Sequence, residues 1–484
     1  MTRKGFARIA ALTLSCALTL VGCGGGGGGG TSAGGGATGG GSTDPCSQTA
    51  RNQFAIDTLR EWYLYPDLLP ATVNPASYAS VQDLLDAMTA TARAQNKDRF
   101  FTYVTSIAQE NAFNSSGSTA GFGVRLFTDS ATNRVYIAEA FEGAPALAAG
   151  IDRGDELLAV GTSEATLRTV AEILATGGSQ GLTDALGPST AGTTRVLRVA
   201  NATAGTRTLT VAKADYTLLP VSSRYGALVL NDAGRRVGYL NLRTFISSAD
   251  AQLRSAFASF RNAGINELIV DLRYNGGGLI STAGVLGNLL GANRSSGQIL
   301  AQLTYRPEKS AQNSTLYFTA QPESIAPVKL AFIATGSTAS ASELVINGMV
   351  PYLTTNLALV GANTYGKPVG QVALDKAACD DRIRVMAFSV RNASGSDNYF
   401  NGLVNAVNVS CRATDDLARP FGDLNEASVR QALDFLAGRP CTAIAGGPTP
   451  GLAKPGLPEE LFAGPEPLVP ARPTPAQHEL PGLF

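Results

Sequence analysis

Three turns rich in glycine and serine stand just before runs of apolar residues, and they hold the residue types from which a nucleophile, a base and an oxyanion site are built. The first is Asp271-Leu272-Arg273-Tyr274-Asn275-Gly276-Gly277-Gly278, between a strand-like apolar stretch and a helical pattern. Glycines there either free backbone N–H groups at a helix start to stabilise an oxyanion, or simply supply the positive φ of a tight turn. The second is Gly336-Ser337-Thr338-Ala339-Ser340-Ala341-Ser342-Glu343, where small residues permit close approach and a serine hydroxyl meets a positive helix end; plain N-capping uses the same residues. The third is Gly361-Ala362-Asn363-Thr364-Tyr365-Gly366-Lys367, with Gln371 beyond and no acid until Asp375. A lysine near its ordinary pKa of ~10.4 is protonated and cannot take a serine proton. Burial with little compensating negative charge brings it toward ~7, a change worth ~4 kcal/mol.

A base other than histidine is what the composition demands. The 484 residues include one histidine, His478, within a segment (448–484) that holds ten of the 24 prolines. A Ser-His-Asp triad, a multi-histidine zinc site and an HExxH motif all need a histidine held rigidly, and this position, read as part of a disordered extension, offers none. The 38 basic and 38 acidic residues cancel, so nothing favours nucleic-acid binding.

The three turns together resemble the carboxyl-terminal processing, or tail-specific, serine peptidases. Lys367 follows Ser342 by 25 residues (367 − 342) and Gln371 follows by four more (371 − 367). The resemblance implies Ser342 as nucleophile, Lys367 as general base and Gln371 as the residue that orients the lysine. It implies an oxyanion hole from the amides of Gly277 or Gly278 and of Glu343, and no metal or cofactor. Pro368 stands where family members commonly have glycine. A second run, Gly121-Phe122-Gly123-Val124 followed by 142–155 (Glu-Gly-Ala-Pro-Ala-Leu-Ala-Ala-Gly-Ile-Asp-Arg-Gly-Asp), resembles a PDZ domain. There, residues 121–124 would receive a peptide C-terminus on backbone amides while the peptide adds to a sheet edge. The implied fold is α/β, a crotonase/ClpP-like ββα protease core with an inserted or preceding PDZ module and a small helical N-terminal domain. The implied partners are proteins or peptides with apolar C-termini. A catalytically silent PDZ-bearing scaffold, and a ligand-binding relative of the crotonase-like fold, are the alternatives from other classes.

The elements that position these turns follow from periodicity. Apolar residues at helical spacing predict a helix over 47–64 that stops before Pro66, and another over 81–94. Short strand patterns fill 123–213 around a helix-like run at 166–175. From about 216, strands at 236–242, 267–272, 328–334 and 357–360 alternate with helices at 251–263 and 340–350, an α/β layer with an inserted hairpin at 297–319 and a closing helix at 429–436. The boundaries so read are 1–22 signal peptide, 23–45 glycine-rich tether, 46–112 helical domain, 113–215 PDZ module, 216–446 protease domain and 447–484 disordered proline-rich tail.

The N-terminus has a basic start (Arg3, Lys4, Arg8), an apolar run and Leu20-Val21-Gly22-Cys23, which resembles a bacterial lipobox. That reading makes Cys23 the lipidation site and the membrane a partner through its anchor, with the protein on the outer membrane facing the periplasm. Cys46, Cys379, Cys411 and Cys441 then form two disulfides, with Cys379–Cys411 and Cys46–Cys441 the favoured pairing.

Overall fold

The computed structural model describes residues 44–445 and 466–484; the signal peptide, Cys23 and the tether lie outside the described residues. Helix α1 (Gln48–Trp62) starts where the Ser47 hydroxyl accepts from the Ala50 amide and ends at extended Tyr63, three residues before Pro66. Its buried face, Ile56 and Leu59, packs with Leu84, Leu85 and Met88 of the next helix and with Ile383 and Val385. The helical start of the chain is thus built onto a later sheet. The pairing of β1 (Tyr103–Ser106) with residues 381–384 fastens it there.

A β-rich module follows. Its sheet runs in the order β2 (Val124–Asp129), Arg134–Ala140, Glu156–Gly161, Thr194–Asn201, Gly205–Ala212. Inward residues such as Leu126, Ile137, Leu157 and Val199 meet Ile173, Leu182 and Leu186 from the helix Val170–Leu186. The helix pattern expected to stop near 175 runs eleven residues further (186 − 175), broken only at Gly178.

The α/β part is a six-stranded sheet in the order Ala227–Asp232, Arg235–Asn241, β3 (Glu267–Asp271), β4 (Lys329–Ala334), Leu357–Gly361, Val409–Arg412, parallel except for the first pair. Alternate residues serve opposite faces, which is why these strands read as nearly continuous apolar runs. Leu268, Val270, Leu330 and Phe332 bury against Leu253, Leu286 and the helix α2 (Ala341–Leu353). Ile269, Ala331 and Ile333 bury against Val429, Leu433 and Leu436 of the closing helix.

A second, antiparallel sheet was legible in the sequence only through its hairpin at 297–319. Strands β5 (Val369–Lys376) and β6 (Asp381–Arg391) form its centre, joined by β1 and by the hairpin Ile299–Tyr305/Ser314–Tyr317. It holds the Lys367–Gln371 segment.

Two expectations are corrected. The disulfides are Cys46–Cys379 and Cys411–Cys441. The first ties the start of α1 to the turn between β5 and β6, the second ties the last strand of the parallel sheet to the segment after the closing helix. Sequence distance hid this, because the clamp on residue 46 comes from the unforeseen part of the antiparallel sheet. Closing a 333-residue loop is worth about 6 kcal/mol in the chain-entropy picture, so Cys46→Ser is expected to lower the urea midpoint sharply and Cys441→Ser, closing 30 residues, less.

The second correction concerns the tail. Residues 466–484 are built into the fold, whereas 446–465 lie outside the described residues. Glu466–Pro467 pairs antiparallel with Thr128 and Phe127 of β2, and the chain returns to the same strand at its last residues. Between these contacts a short helix α3 (Pro475–Glu479) forms, with the Thr474 hydroxyl accepting from the Gln477 amide. The prolines that argued against packing serve here as N1 of a helix and as an edge residue with no donor to lose.

Candidate active site

The three chemistry-bearing turns converge at the C-terminal ends of β3 and β4, where ligands bind in open α/β sheets. Asp271 ends β3, and Arg273 behind it is fully buried. Its guanidinium bonds Asp271 and Glu426 at 2.7 and 2.8 Å and Asp415 at 3.2 Å. This network fixes the Asp-Leu-Arg turn from beneath, and beyond it Gly276 lines the cleft. Gly277 and Gly278 have φ of +123° and +128°, a region open to glycine. A Cβ on Gly277 would come within 2.8 Å of the Ser340 Cβ and 3.1 Å of the Ala341 amide nitrogen.

The structure separates the serines. Ser342 is fully buried in the first turn of α2, and its hydroxyl donates to the Asn275 carbonyl at 3.0 Å. Ser340 sits at the N-cap of α2, half-buried, with φ +55° and ψ −113°. A non-glycine residue held in that region at the strand-to-helix turn is the kind of local strain that presents a nucleophile. Both serines reach the glycine turn, Ser340 beside Gly277 and Ser342, the serine expected as nucleophile, through its bond to Asn275; the strained backbone falls on Ser340. Spacing to Lys367 could not separate two serines two residues apart; the helical register that turns one inward could.

Glu343 carries the arrangement. Its carboxylate is fully buried and accepts from the Ser340 amide (3.0 Å), the Lys367 amide (2.7 Å), the Gly366 amide (2.7 Å) and the Thr364 hydroxyl (2.6 Å). One oxygen, Oε2, takes both the serine and the lysine amide. Burial raises the Glu343 pKa while the four donors hold it down. Beyond the amide expected to serve the oxyanion, the Glu343 carboxylate ties the serine turn to the lysine turn.

Lys367 is half-buried, with its ammonium donating to Gln371 Oε1 at 3.2 Å and lying 5.2 Å from the Phe101 ring centre. Gln371 in turn donates to the Phe101 carbonyl, so the orienting contact is present in space. Burial pushes the Lys367 pKa below the ordinary lysine value, opposed by the carboxylates of Glu479 and Asp98. Asp98 is itself committed to the Tyr63 and Thr102 hydroxyls and the Phe101 amide.

Of the amides expected to form an oxyanion hole, that of Gly277 donates to Asn275 Oδ1 at 2.9 Å. Gly278 lies against Phe245. The amide of this turn that meets a peptide carbonyl is Gly276, which donates to Glu479 at 2.9 Å. Lys367, Gly276, Ser337 and Ala339 line a cleft of about 1050 Å³ together with His478 and Glu479 of the tail. His478 is stacked on Tyr103 at 3.7 Å, and burial beside Lys367 depresses its pKa to about 3, so it stays neutral and aromatic at neutral pH.

The Gly121–Val124 run lies against the chain's own residues 482–484. The Gly123 and Val124 amides donate to the main-chain oxygen of Phe484 at 2.8 and 3.1 Å, and the Phe484 amide donates to the Val124 carbonyl at 2.9 Å. Phe122 and Val124 are buried in one cluster with the Phe484 ring.

The class defined by this fold and site agrees with the relatives. Residues 236–407 match peptidase family S41, and residues 50–103 match the peptidase S41 N-terminal domain. The chloroplastic C-terminal processing peptidase of Tetradesmus obliquus is 28% identical over 271 residues, covering 54% of each chain. The carboxy-terminal processing protease of Bacillus subtilis is 24% identical over 276 residues, covering 57% of this chain and 53% of its own. The chain thus spans about half the length of these curated relatives. In fold it is similar to a putative S41 protease from Bacteroides fragilis, with a TM-score of 0.61 and 23% identity over 80% of this chain and 97% of that one.

Proposed function

We propose that this chain is a serine endopeptidase with a Ser-Lys dyad that cleaves proteins or peptides near their C-termini. Ser340 is the nucleophile, Lys367 the general base and Gln371 its orienting partner. Glu343 is a positioning residue, and the amides of Gly276 and Ala341 are the oxyanion donors. The observation that carries the reading is the shared Glu343 oxygen, which brings the Ser340 and Lys367 backbones onto one anchor. From there, a neutral Lys367 takes the Ser340 proton as Oγ attacks the scissile carbonyl, and the oxyanion forms against the two amides at the positive end of α2. The lysine then delivers that proton to the leaving amine, and a water repeats the sequence to release the acyl group.

The β-rich module is the element that recognises tails, as a PDZ domain does. The Gly121–Val124 amides take the terminal carboxylate, the edge of β2 takes the backbone and Phe122 and Val124 favour an apolar last residue. The lipobox-like Cys23 places the enzyme on the bacterial envelope, anchored by lipid in the outer membrane and facing the periplasm. The substrates are exported proteins.

An unfolded reporter protein ending in Leu-Phe tests the reading. Cleavage of the free-acid form, with the amidated form cut at least about tenfold more slowly, is the expected result. No cleavage of any apolar-tailed reporter would leave the silent scaffold instead.

The rate should also depend on pH with a definite sign. Lys367 works only when neutral, so kcat/KM rises as pH is raised through its lowered pKa and falls below it. Glu479→Gln removes the carboxylate that favours the charged lysine, so the midpoint is expected to move to lower pH, read from the two pH–rate profiles.

A further inference from the structure

The tail occupies both parts of the path assigned to substrate. It meets the edge of β2 twice: at Glu466–Leu468, where the Leu468 amide donates to the Leu126 carbonyl at 2.9 Å, and at Gly482–Phe484, where the Leu126 amide donates to the Gly482 carbonyl at 2.8 Å. The stretch between leaves the edge and crosses the cleft. There the Glu479 carbonyl takes the Gly276 amide, His478 fills the space against Tyr103, and the Pro481 carbonyl accepts from Arg125 at 2.8 Å. Arg125 donates with the same nitrogen to the Tyr274 carbonyl of the glycine turn (2.9 Å), so one buried side chain of β2 holds the tail against the catalytic turn.

The seat is packed rather than incidental. Ala476, Leu480 and Leu483 share a core cluster with Phe113, Tyr216, Leu218 and Ile246. Phe484, Leu480 and Leu468 are each at most 2% exposed. Glycine is required where the tail turns, since a Cβ on Gly482, at φ +86°, would come within 2.8 Å of the Leu126 carbonyl oxygen.

We infer that the tail is a competitor built into the chain: residues 475–484 fill the groove of β2 and the cleft over Ser340 and Lys367, and a substrate tail gains access only by displacing them. The inference rests on the peptidase reading for what the path is used for, but the occupancy itself is a binding question. A tethered segment competes at an effective concentration in the millimolar range, so it raises the apparent Kd of a ligand that binds by itself at ~100 μM by about tenfold or more. Glu479 adds a chemical element, because its carboxylate draws Lys367 toward the protonated form that cannot act as base.

The test uses the full chain and a fluorescent free-acid decapeptide of sequence Pro-Ala-Gln-His-Glu-Leu-Pro-Gly-Leu-Phe, with two substitutions outside the catalytic turns, Gly482→Val and Phe484→Asp. Each variant is expected to bind the decapeptide at least about tenfold more tightly than wild type, and to cleave the Leu-Phe reporter faster through a lower KM. Equal binding by wild type and a folded variant would overturn the inference. Hydrogen exchange of wild-type residues 475–484 gives a reading that needs no variant. Slow exchange, accelerated by saturating decapeptide, is expected, and complete exchange at the earliest time would overturn the inference. If nothing is cleaved but the binding difference appears, the peptidase reading fails and the occupancy stands.

Discussion

Ser340→Ala is expected to abolish peptide hydrolysis, a loss of at least about 10³-fold in kcat, while Ser342→Ala keeps kcat within about tenfold of wild type. The contrast follows from register. At the N-cap Ser340 is half-buried and holds the strained turn, whereas Ser342 is fully buried with its hydroxyl committed to the Asn275 carbonyl. Ser342→Ala removes one hydrogen bond to the Asn275 carbonyl, which keeps a second donor in the Ala339 amide at 3.0 Å. The cost is therefore about 1 kcal/mol of stability, a shift of a few degrees in Tm. Lys367→Ala should match Ser340→Ala in kcat, and the double variant should be no worse than either, because nucleophile and base act as a unit. Burst kinetics on an activated ester, with the acyl group traced by mass spectrometry to residue 340 or 342, decides between the serines directly. Loss of hydrolysis in Ser342→Ala with retention in Ser340→Ala would reverse the assignment.

How much of this was visible beforehand depended on the range over which the signal acts. The parallel strands and their helices were legible because burial on both faces writes uninterrupted apolar runs such as Leu268–Val270 and Leu330–Ile333. Of the antiparallel sheet only the hairpin was, because the sheet joins segments far apart in the chain (103–106, 299–317 and 369–391) and the turn between β5 and β6 has no strong hairpin dipeptide. The lysine and glutamine are paired by the family resemblance and not by strand geometry, since Lys367 precedes β5 and the register of β5 shifts between Gly370 and Gln371. The nucleophile could not be singled out, since both serines lie within one helical turn of each other and only packing distinguishes them. The tail misled for a related reason. Its ten prolines lower helix and strand propensity locally, but nothing local shows that a groove elsewhere in the chain supplies its missing partners. His478 changes meaning accordingly: it is no base, as its depressed pKa near 3 keeps it neutral, and it serves as a flat ring over Tyr103.

Glu343→Gln is the second substitution with a large expected effect. Glutamine keeps the volume, but its NH2 replaces one of two oxygens that accept four hydrogen bonds between them. Whichever way the amide is turned, two donors face a donor. The Thr364 hydroxyl cannot rotate away freely, since it also accepts from the Leu403 amide at 2.9 Å. Leaving one or two buried N–H groups unpaired costs about 1–3 kcal/mol each, so a fall in stability of about 1–6 kcal/mol is expected by urea denaturation. The kinetic signature separates positioning from a bulk structural role. With the shared anchor gone, the Ser340 and Lys367 turns lose their common reference, and kcat should fall about 10²-fold or more at little change in KM. Loss of the Glu343 charge also removes one of the carboxylates that favour protonated Lys367, so the residual activity should show its pH midpoint displaced to lower pH. A destabilised but otherwise intact dyad would keep the wild-type midpoint, and that outcome would leave Glu343 as a structural residue alone.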